Sequence, residues 1–175
     1  MEHKIQAPFT AETIQQLHTG DMVKISGTIY SARDAAHKKL MELIEAGKEL
    51  PFDLKGNVIY YLGPTPAREG QVIGSAGPTT SSRMDKYTPE LLNLGLKGMI
   101  GKGRRSPEVI QSIIDNQAVY LAAVGGAGAL LSKCIRSSKV IAFDELGTEA
   151  IREMYVEDFP AIVEIDSQGN DIYKD

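Results

Sequence analysis

Cysteine is almost missing from this chain: Cys134 stands alone. An internal disulfide is therefore excluded, a reducing compartment fits, and no metal or iron–sulfur centre can be built on cysteines of this chain by itself. Nor is there a cluster of Cys, His, Asp and Glu at metal-ligand spacing, or a defensible Ser-His-Asp arrangement, among only three histidines. No apolar run is long enough to cross a bilayer, and Met1-Glu2-His3-Lys4-Ile5 does not read as a signal peptide. An excess of positive charge is also absent. The net charge is −4, so nucleic-acid binding has no global electrostatic support. These absences predict a cytoplasmic protein whose partners include neither nucleic acid nor a membrane.

What is present describes an ordinary globular protein, 42% hydrophobic and 24% charged. Its 175 residues predict a single domain, 1–175. Thr10-Ala11-Glu12-Thr13-Ile14 predicts a short helix in an otherwise mixed first twenty residues. Met22 to Tyr30 alternates and is β-rich, hence a strand. Ser31-Ala32-Arg33-Asp34 then opens a helix with the spacing of a capping box, ending at Gly47. Asn57 to Leu62 reads as a strand closed by Gly63-Pro64, and 64–70 as a loop. Gln71 to Gly74 reads as a strand leaving the core. Thr88 caps a helix that has Pro89 at its first position and stops at Gly95. Lys97 to Ile100 is a short strand, and Ser106-Pro107-Glu108 starts another helix. Ala118 to Val124 has the continuous apolar character of a strand buried on both faces. Val140 to Phe143 predicts a strand, Gly147 to Ile151 a short helix, and the segments 161–165 and 171–173 a hairpin around Ser167-Gln168-Gly169-Asn170. The pattern is that of an α/β domain.

Three turns carry chemistry. Gly77-Pro78-Thr79-Thr80-Ser81-Ser82-Arg83-Met84 brings four hydroxyls and an arginine together. A short helix starting near Thr80 would aim free N–H groups, hydroxyls and Arg83 at one small volume suited to a carboxylate or a phosphate; the plainer reading is that Thr80 or Ser81 caps a helix. Arg33, in a first helical turn, opposes the macrodipole and so points to an anion at that end. Asp34 and His37 share a helix face, either as an acid–base pair or as a cap and a surface residue. Gly101-Lys102-Gly103-Arg104-Arg105 concentrates cations where glycines let the backbone approach a ligand, the alternative being a solvated basic turn. Such turns gather at one edge of an open α/β sheet. The candidate site comprises Arg33, Thr79, Thr80, Ser81, Arg83 and Lys102, with Gly125 and Gly126 contributing backbone. It fits a small dicarboxylate but supplies no electrophile, and resembles half of an active site.

The run Gly27-Thr28-Ile29-Tyr30-Ser31-Ala32-Arg33-Asp34-Ala35-Ala36-His37-Lys38 followed by Gly77-Pro78-Thr79-Thr80-Ser81-Ser82-Arg83-Met84 resembles the β subunit, or C-terminal domain, of the class I, iron–sulfur fumarate hydratases. Ile59-Tyr60-Tyr61, Lys102-Gly103, Gly125-Gly126, Glu145-Leu146-Gly147 and Val156-Glu157-Asp158-Phe159-Pro160-Ala161 extend it to nearly the whole chain. The resemblance implies a swivelling β/β/α domain with small mixed sheets and flanking helices, packed as a lid on an α subunit in an α2β2 hetero-oligomer. It implies a hydro-lyase adding water to fumarate to give (S)-malate, and a 4Fe–4S cluster bound by three cysteines of the α subunit and not by this chain. Residue by residue it implies that Arg33, Arg83 and Lys102 bind substrate carboxylates and that Thr79 is the base, with Thr80 as neighbouring candidate. The β subunit of L(+)-tartrate dehydratase resembles the chain too. Ala32, Ala35 and Ala36 and the pair Arg105-Ser106 lean toward a fumarase, while Arg104 departs from the asparagine common there. A non-catalytic dicarboxylate-binding or -sensing module is the reading from another class.

Overall fold

A computed structural model describes residues 1–63, 69, 71–124 and 128–173. The seven strands are β1 (Glu2–Ala7), β2 (Met22–Ser31), β3 (Val58–Tyr60), β4 (Gly98–Gly101), β5 (Val119–Ala123), β6 (Ile135–Ala142) and β7 (Ile151–Ile165). The helices are α1 (Ala11–Gln15), α2 (Asp34–Glu45), α3 (Thr88–Asn93), α4 (Pro107–Asn116) and α5 (Gly128–Ser132), with 3-10 segments at Ser81–Met84 and Asp144–Glu149. All seven strands belong to one sheet of order β1-β2-β3-β4-β5-β7-β6, and β2 also pairs with β7. That pairing closes β2, β3, β4, β5 and β7 into a ring. Its first four strands run parallel, and β7 returns antiparallel. The mixed α/β class agrees with the sequence reading. One closed sheet replaces the several small ones expected.

Period-two alternation sorts side chains between two cores. Val58, Tyr60, Ile100, Val119, Leu121, Val156 and Val163 fill the ring. The intervening Ile59, Tyr61, Met99, Tyr120 and Ile165 pack outward under Ala36, Leu40, Leu91, Val109 and Ile113 of α2, α3 and α4. Burying each such aliphatic side chain contributes about 1.5–3 kcal/mol, which is why these very short strands hold.

β7 is the principal departure from expectation, since only its last five residues read as strand. Pro160 and the charges Arg152, Glu153, Glu157 and Asp158 argue against a strand. Tertiary pairing overrides them. Pro160 sits opposite Lys24 and its carbonyl accepts from Val124 N–H at 3.2 Å. A bulge between Ile25 and Gly27 takes up Glu157 and Asp158, and Asp158 N–H is satisfied by Ser26 Oγ at 3.0 Å. Gly27 lies where β1 ends on β2: a Cβ there would come within 2.3 Å of the Ala7 carbonyl oxygen.

Other expectations shift. Residues 2–7 form β1, parallel to β2, where the sequence read only a mixed segment. Gln71 to Gly74 is not strand. Strand β6 begins five residues before the predicted Val140. Ser31 ends β2 rather than capping α2, and its Oγ accepts from Arg152 N–H; the helix is capped by Arg33 with no side-chain bond, while Glu149 reaches Ala35 N–H at 3.2 Å from another segment. Tyr87, not Thr88, precedes α3, because the Thr88 hydroxyl is spent on the Met84 carbonyl. The segment 161–165 does meet Asp171, but through a single bridge. Its turn is held by Asp166, which accepts from the N–H groups of Gln168 and Asn170. The loop predicted at 64–70 lies, except for Glu69, outside the described residues, as do Gly125 and Gly126.

Candidate active site

Parallel strands bring their C-terminal ends to one edge of the sheet, and the predicted site residues follow from that topology. Arg33 comes two residues after β2. Gly63 lies three residues beyond β3. Lys102 follows β4 directly. The segment Pro78–Ser81 returns to this edge and is stitched in: Leu62 bridges Pro78 and Thr80 bridges Lys102. Thr79 N–H donates to the Tyr61 carbonyl at 2.7 Å, Gly63 N–H to the Gly77 carbonyl at 3.2 Å and Ser81 N–H to the Lys102 carbonyl at 2.9 Å.

Arg33 and Thr79 both come up against Gly63. A side chain at Gly63 would find Arg33 Nη1 at 3.1 Å and Thr79 Oγ1 at 3.2 Å, so the absent Cβ is what lets a guanidinium and a hydroxyl share that space. Arg33 Nε is buried and has no hydrogen-bond partner. A charged donor left unsatisfied is costly in a finished fold, and here it belongs to the arginine that lies against Gly63.

Arg83 donates through Nη2 to Asp34 Oδ2, joining the 3-10 segment to the start of α2. The other carboxylate oxygen, Oδ1, is buried and unpartnered. Asp34 thus grips Arg83 instead of pairing with His37. His37 is 1% exposed, its Nδ1 lies 2.8 Å from the Arg33 carbonyl oxygen, and its ring meets Tyr61 edge-on. Burial, aided by the Arg105 charge, lowers its pKa to about 4 against the pull of the Arg33 carbonyl and Asp34. It is a neutral core residue, neither an acid–base partner of Asp34 nor a surface group.

Ser81 also departs from expectation. It is fully buried, and its Oγ accepts from Lys102 N–H at 3.0 Å. Together with the Thr79 and Ser81 N–H bonds, this leaves fewer free donors at the 3-10 start than a bare helix end would offer. Thr80 is exposed, and the Arg83 side chain half-exposed. The glycine before Lys102 serves the fold: a Cβ on Gly101 would sit 2.0 Å from Ser81 Oγ and 2.7 Å from Tyr61 Cδ2.

The basic turn divides in three. Lys102 is exposed and its ammonium makes no hydrogen bond or ion pair among the described residues. Arg104 lies 5.0 Å over the Tyr173 ring. Arg105 is fully buried, donating to Asp85 Oδ1 at 2.6 Å, Tyr61 Oη at 3.1 Å and Thr88 Oγ1 at 2.9 Å. Burial alone would lower its pKa, and the oxygens of Tyr61, Asp85 and Tyr120 more than offset that. Sequence reasoning did not foresee this buried arginine. The available signal was a tyrosine in each of two apolar strands, since a buried phenol needs a polar partner.

An iron–sulfur cluster held through three cysteines does not fit this chain's donors. Cys134 is a single half-buried thiol between α5 and β6, its pKa raised by burial, and the described residues contain no group of three His, Cys, Asp or Glu placed to hold a metal. No helix among them is long and apolar enough to cross a membrane.

Comparison with known proteins gives this edge a family. The family model described as "Fumarase C-terminus" matches residues 2–175. The chain is 42% identical over 163 residues to the anaerobic class I fumarate hydratase of Escherichia coli, covering 92% of this chain and 30% of that protein. It is 40% identical over 164 residues to fumarate hydratase 2 of Leishmania major, 93% and 29% of the two chains. A chain of Methanocaldococcus jannaschii, provisionally named L(+)-tartrate dehydratase subunit beta, is 41% identical over 172 residues, 95% of this chain and 88% of that one. The chain therefore spans about a third of the fumarate hydratases it matches and most of the tartrate dehydratase subunit. With the match running from the second residue to the last, this chain belongs to the fumarase C-terminus family.

Proposed function

We propose that this chain is the β subunit of a class I fumarate hydratase, supplying the dicarboxylate-binding cations and the candidate base to a site completed by an iron–sulfur α subunit. The observation that carries the reading is the approach of Arg33 and Thr79 to Gly63, on the edge that also bears Lys102 and Arg83. In this reading the ring and its helices are a swivelling β/β/α domain set as a lid on the α subunit, in a cytoplasmic α2β2 assembly. Residues 1–175 act as one domain.

Arg33, Arg83 and Lys102 hold the two carboxylates of (S)-malate. Thr79 Oγ1, as the alkoxide, takes the C3 proton and becomes the hydroxyl, and the electron pair left on carbon delocalises into the adjacent carboxylate. Fixed cations aimed at that carboxylate are worth more in the transition state than in the ground state. A hydroxyl is a weak base, and the neighbouring Arg33 guanidinium stabilises negative charge on Oγ1; Thr80, exposed on the next residue, is the alternative base. The C2 hydroxyl leaves with a proton from an aspartate of the α subunit, giving fumarate and water. A 4Fe–4S cluster held by cysteines of the α subunit would supply Lewis-acid assistance to loss of the substrate hydroxyl, and in this reading this chain contributes no ligand to it.

The β subunit of L(+)-tartrate dehydratase is the second reading, favoured by the coverage of the M. jannaschii chain. The exposed Arg104 is compatible with either acid. The test is anaerobic co-expression with the cognate α subunit, followed by fumarate absorbance on addition of (S)-malate, with L-tartrate in parallel. Malate turnover that is lost on Arg83→Ala supports the fumarase. Turnover of tartrate alone moves the chain to the second reading. A cluster-loaded complex inert to both acids leaves a dicarboxylate-binding module.

A further inference from the structure

Lys102 leaves the sheet on a turn that is pinned from beneath by a residue of another strand. The Tyr120 hydroxyl, on β5, lies 2.6 Å from Ser81 Oγ and 2.8 Å from the Gly103 carbonyl oxygen. The direction of each bond follows from proton supply. A carbonyl only accepts, so the Tyr120 O–H donates to Gly103. Tyr120 then has no second proton, so the Ser81 O–H donates to the Tyr120 oxygen. Ser81 Oγ is left to accept from Lys102 N–H at 3.0 Å, while Ser81 N–H returns a bond to the Lys102 carbonyl at 2.9 Å. Every donor and acceptor in this relay is used, on both sides of Lys102.

The relay is itself held from behind. Arg105 stacks 4.7 Å over the Tyr120 ring and 5.3 Å over that of Tyr61. Asp85 takes the Arg105 Nε with one oxygen and the Ser106 N–H, at 2.8 Å, with the other. Burial raises the Tyr120 pKa far above its ordinary value, so its O–H remains a donor. The network ends on the backbone of the turn that carries Lys102, whose ammonium has no partner among the described residues.

We propose that Tyr120 and Ser81 are positioning residues for Lys102, fixing its turn so that its ammonium is presented to an anion with little ordering left to do. This rests on the reading of Lys102 as a carboxylate-binding residue. The chemical logic is preorganisation: a long, flexible lysine side chain directs charge well only if its own backbone is fixed.

A double-mutant cycle on the assembled αβ complex tests it. Values of kcat/KM for (S)-malate are compared in wild type, Tyr120→Phe, Lys102→Ala and the double variant. Tyr120→Phe keeps the ring beneath Arg105 and removes only the hydroxyl. The expected result is a fall of roughly ten- to a hundredfold in the wild-type background, on the scale of a misplaced catalytic group, and a fall of less than about twofold when Lys102 is already alanine. Ser81→Ala should behave the same way and serves if Tyr120→Phe fails to assemble. Where Lys102→Ala leaves too little turnover, the cycle is closed on the dissociation constant for succinate. An equal loss in both backgrounds, or no loss in either, overturns the positioning role while leaving Lys102 in place. If Lys102→Ala alone costs nothing in kcat/KM or in succinate binding, the reading of Lys102 falls and the positioning role falls with it.

Discussion

Asp34 and Arg83, forty-nine positions apart, form an ion pair that joins the N-terminus of α2 to the 3-10 segment Ser81–Met84. Arg83 is thereby aimed before any ligand arrives, and part of its charge is already countered.

Asp34→Asn should separate aim from stability. The pair is partly exposed, 55% for the arginine and 29% for the aspartate, so solvent screening keeps its contribution to folding within about 1 kcal/mol. The expected outcome is a nearly unchanged thermal midpoint with roughly tenfold weaker kcat/KM for the dicarboxylate, on the scale of lost orientation. Calorimetry and initial rates on the same preparation check both.

Arg105 and Lys102 should behave oppositely on truncation. Arg105→Ala strands Asp85 Oδ1 and the Tyr61 hydroxyl and removes the cation over the Tyr120 ring, a loss of about 3–5 kcal/mol for a broken buried pair. Lys102→Ala removes an exposed ammonium that has no partner among the described residues and should stay within about 0.5 kcal/mol of wild type. Urea denaturation distinguishes them: the first variant shifts its midpoint strongly or fails to fold, while the second unfolds like wild type yet loses most turnover.

Gly63→Ala probes the approach of Arg33 and Thr79. The new methyl would press on Arg33 Nη1 and Thr79 Oγ1 at just over 3 Å, which movement of a few tenths of an ångström relieves. Folding should persist, while kcat falls by about a hundredfold if the displaced pair carries the chemistry. Unchanged kcat would remove this pair from the mechanism.

Two buried groups give stability a pH dependence of opposite sign. Glu164 is 1% exposed, with neither carboxylate oxygen hydrogen-bonded. Burial, reinforced by Asp171 and opposed by Arg105, raises its pKa from 4.5 to about 8. Between those values the native chain keeps a proton that the unfolded chain has released, so stability falls as pH rises. His37 has its pKa lowered from 6.5 to about 4. In that interval the unfolded chain binds the extra proton, and stability rises with pH. Above pH 6.5 only the Glu164 slope remains. Denaturation midpoints should therefore decline from pH 6.5 to 8 in wild type and flatten in Glu164→Gln.

The sequence was most informative where local pattern and tertiary role agree. The alternation in Met22 to Tyr30, the Ser106-Pro107 cap and the apolar run at Ala118 each state their element directly. Arg33, Thr79, Arg83 and Lys102 could be singled out because hydroxyls and cations behind strand ends have few structural uses. What stayed hidden depends on partners distant in sequence. The first ten residues of β7 carry a proline and four charges that pairing with β2 and β6 accommodates. Ser81 looks like its neighbouring hydroxyls until Tyr120 turns it inward. Arg105 looks like part of a solvated basic turn until Asp85 and two tyrosines enclose it.

The ring closes only when β7 reaches back to β2, bridging more than a hundred residues. During synthesis, Arg33, Thr79 and Lys102 all leave the ribosome well before the strand that completes the sheet beneath them. Long-range pairing of this kind delays folding, so nascent chains expose unpaired strand edges until β7 has emerged. Binding competence should then appear abruptly, once β7 emerges and closes the ring, instead of growing with chain length.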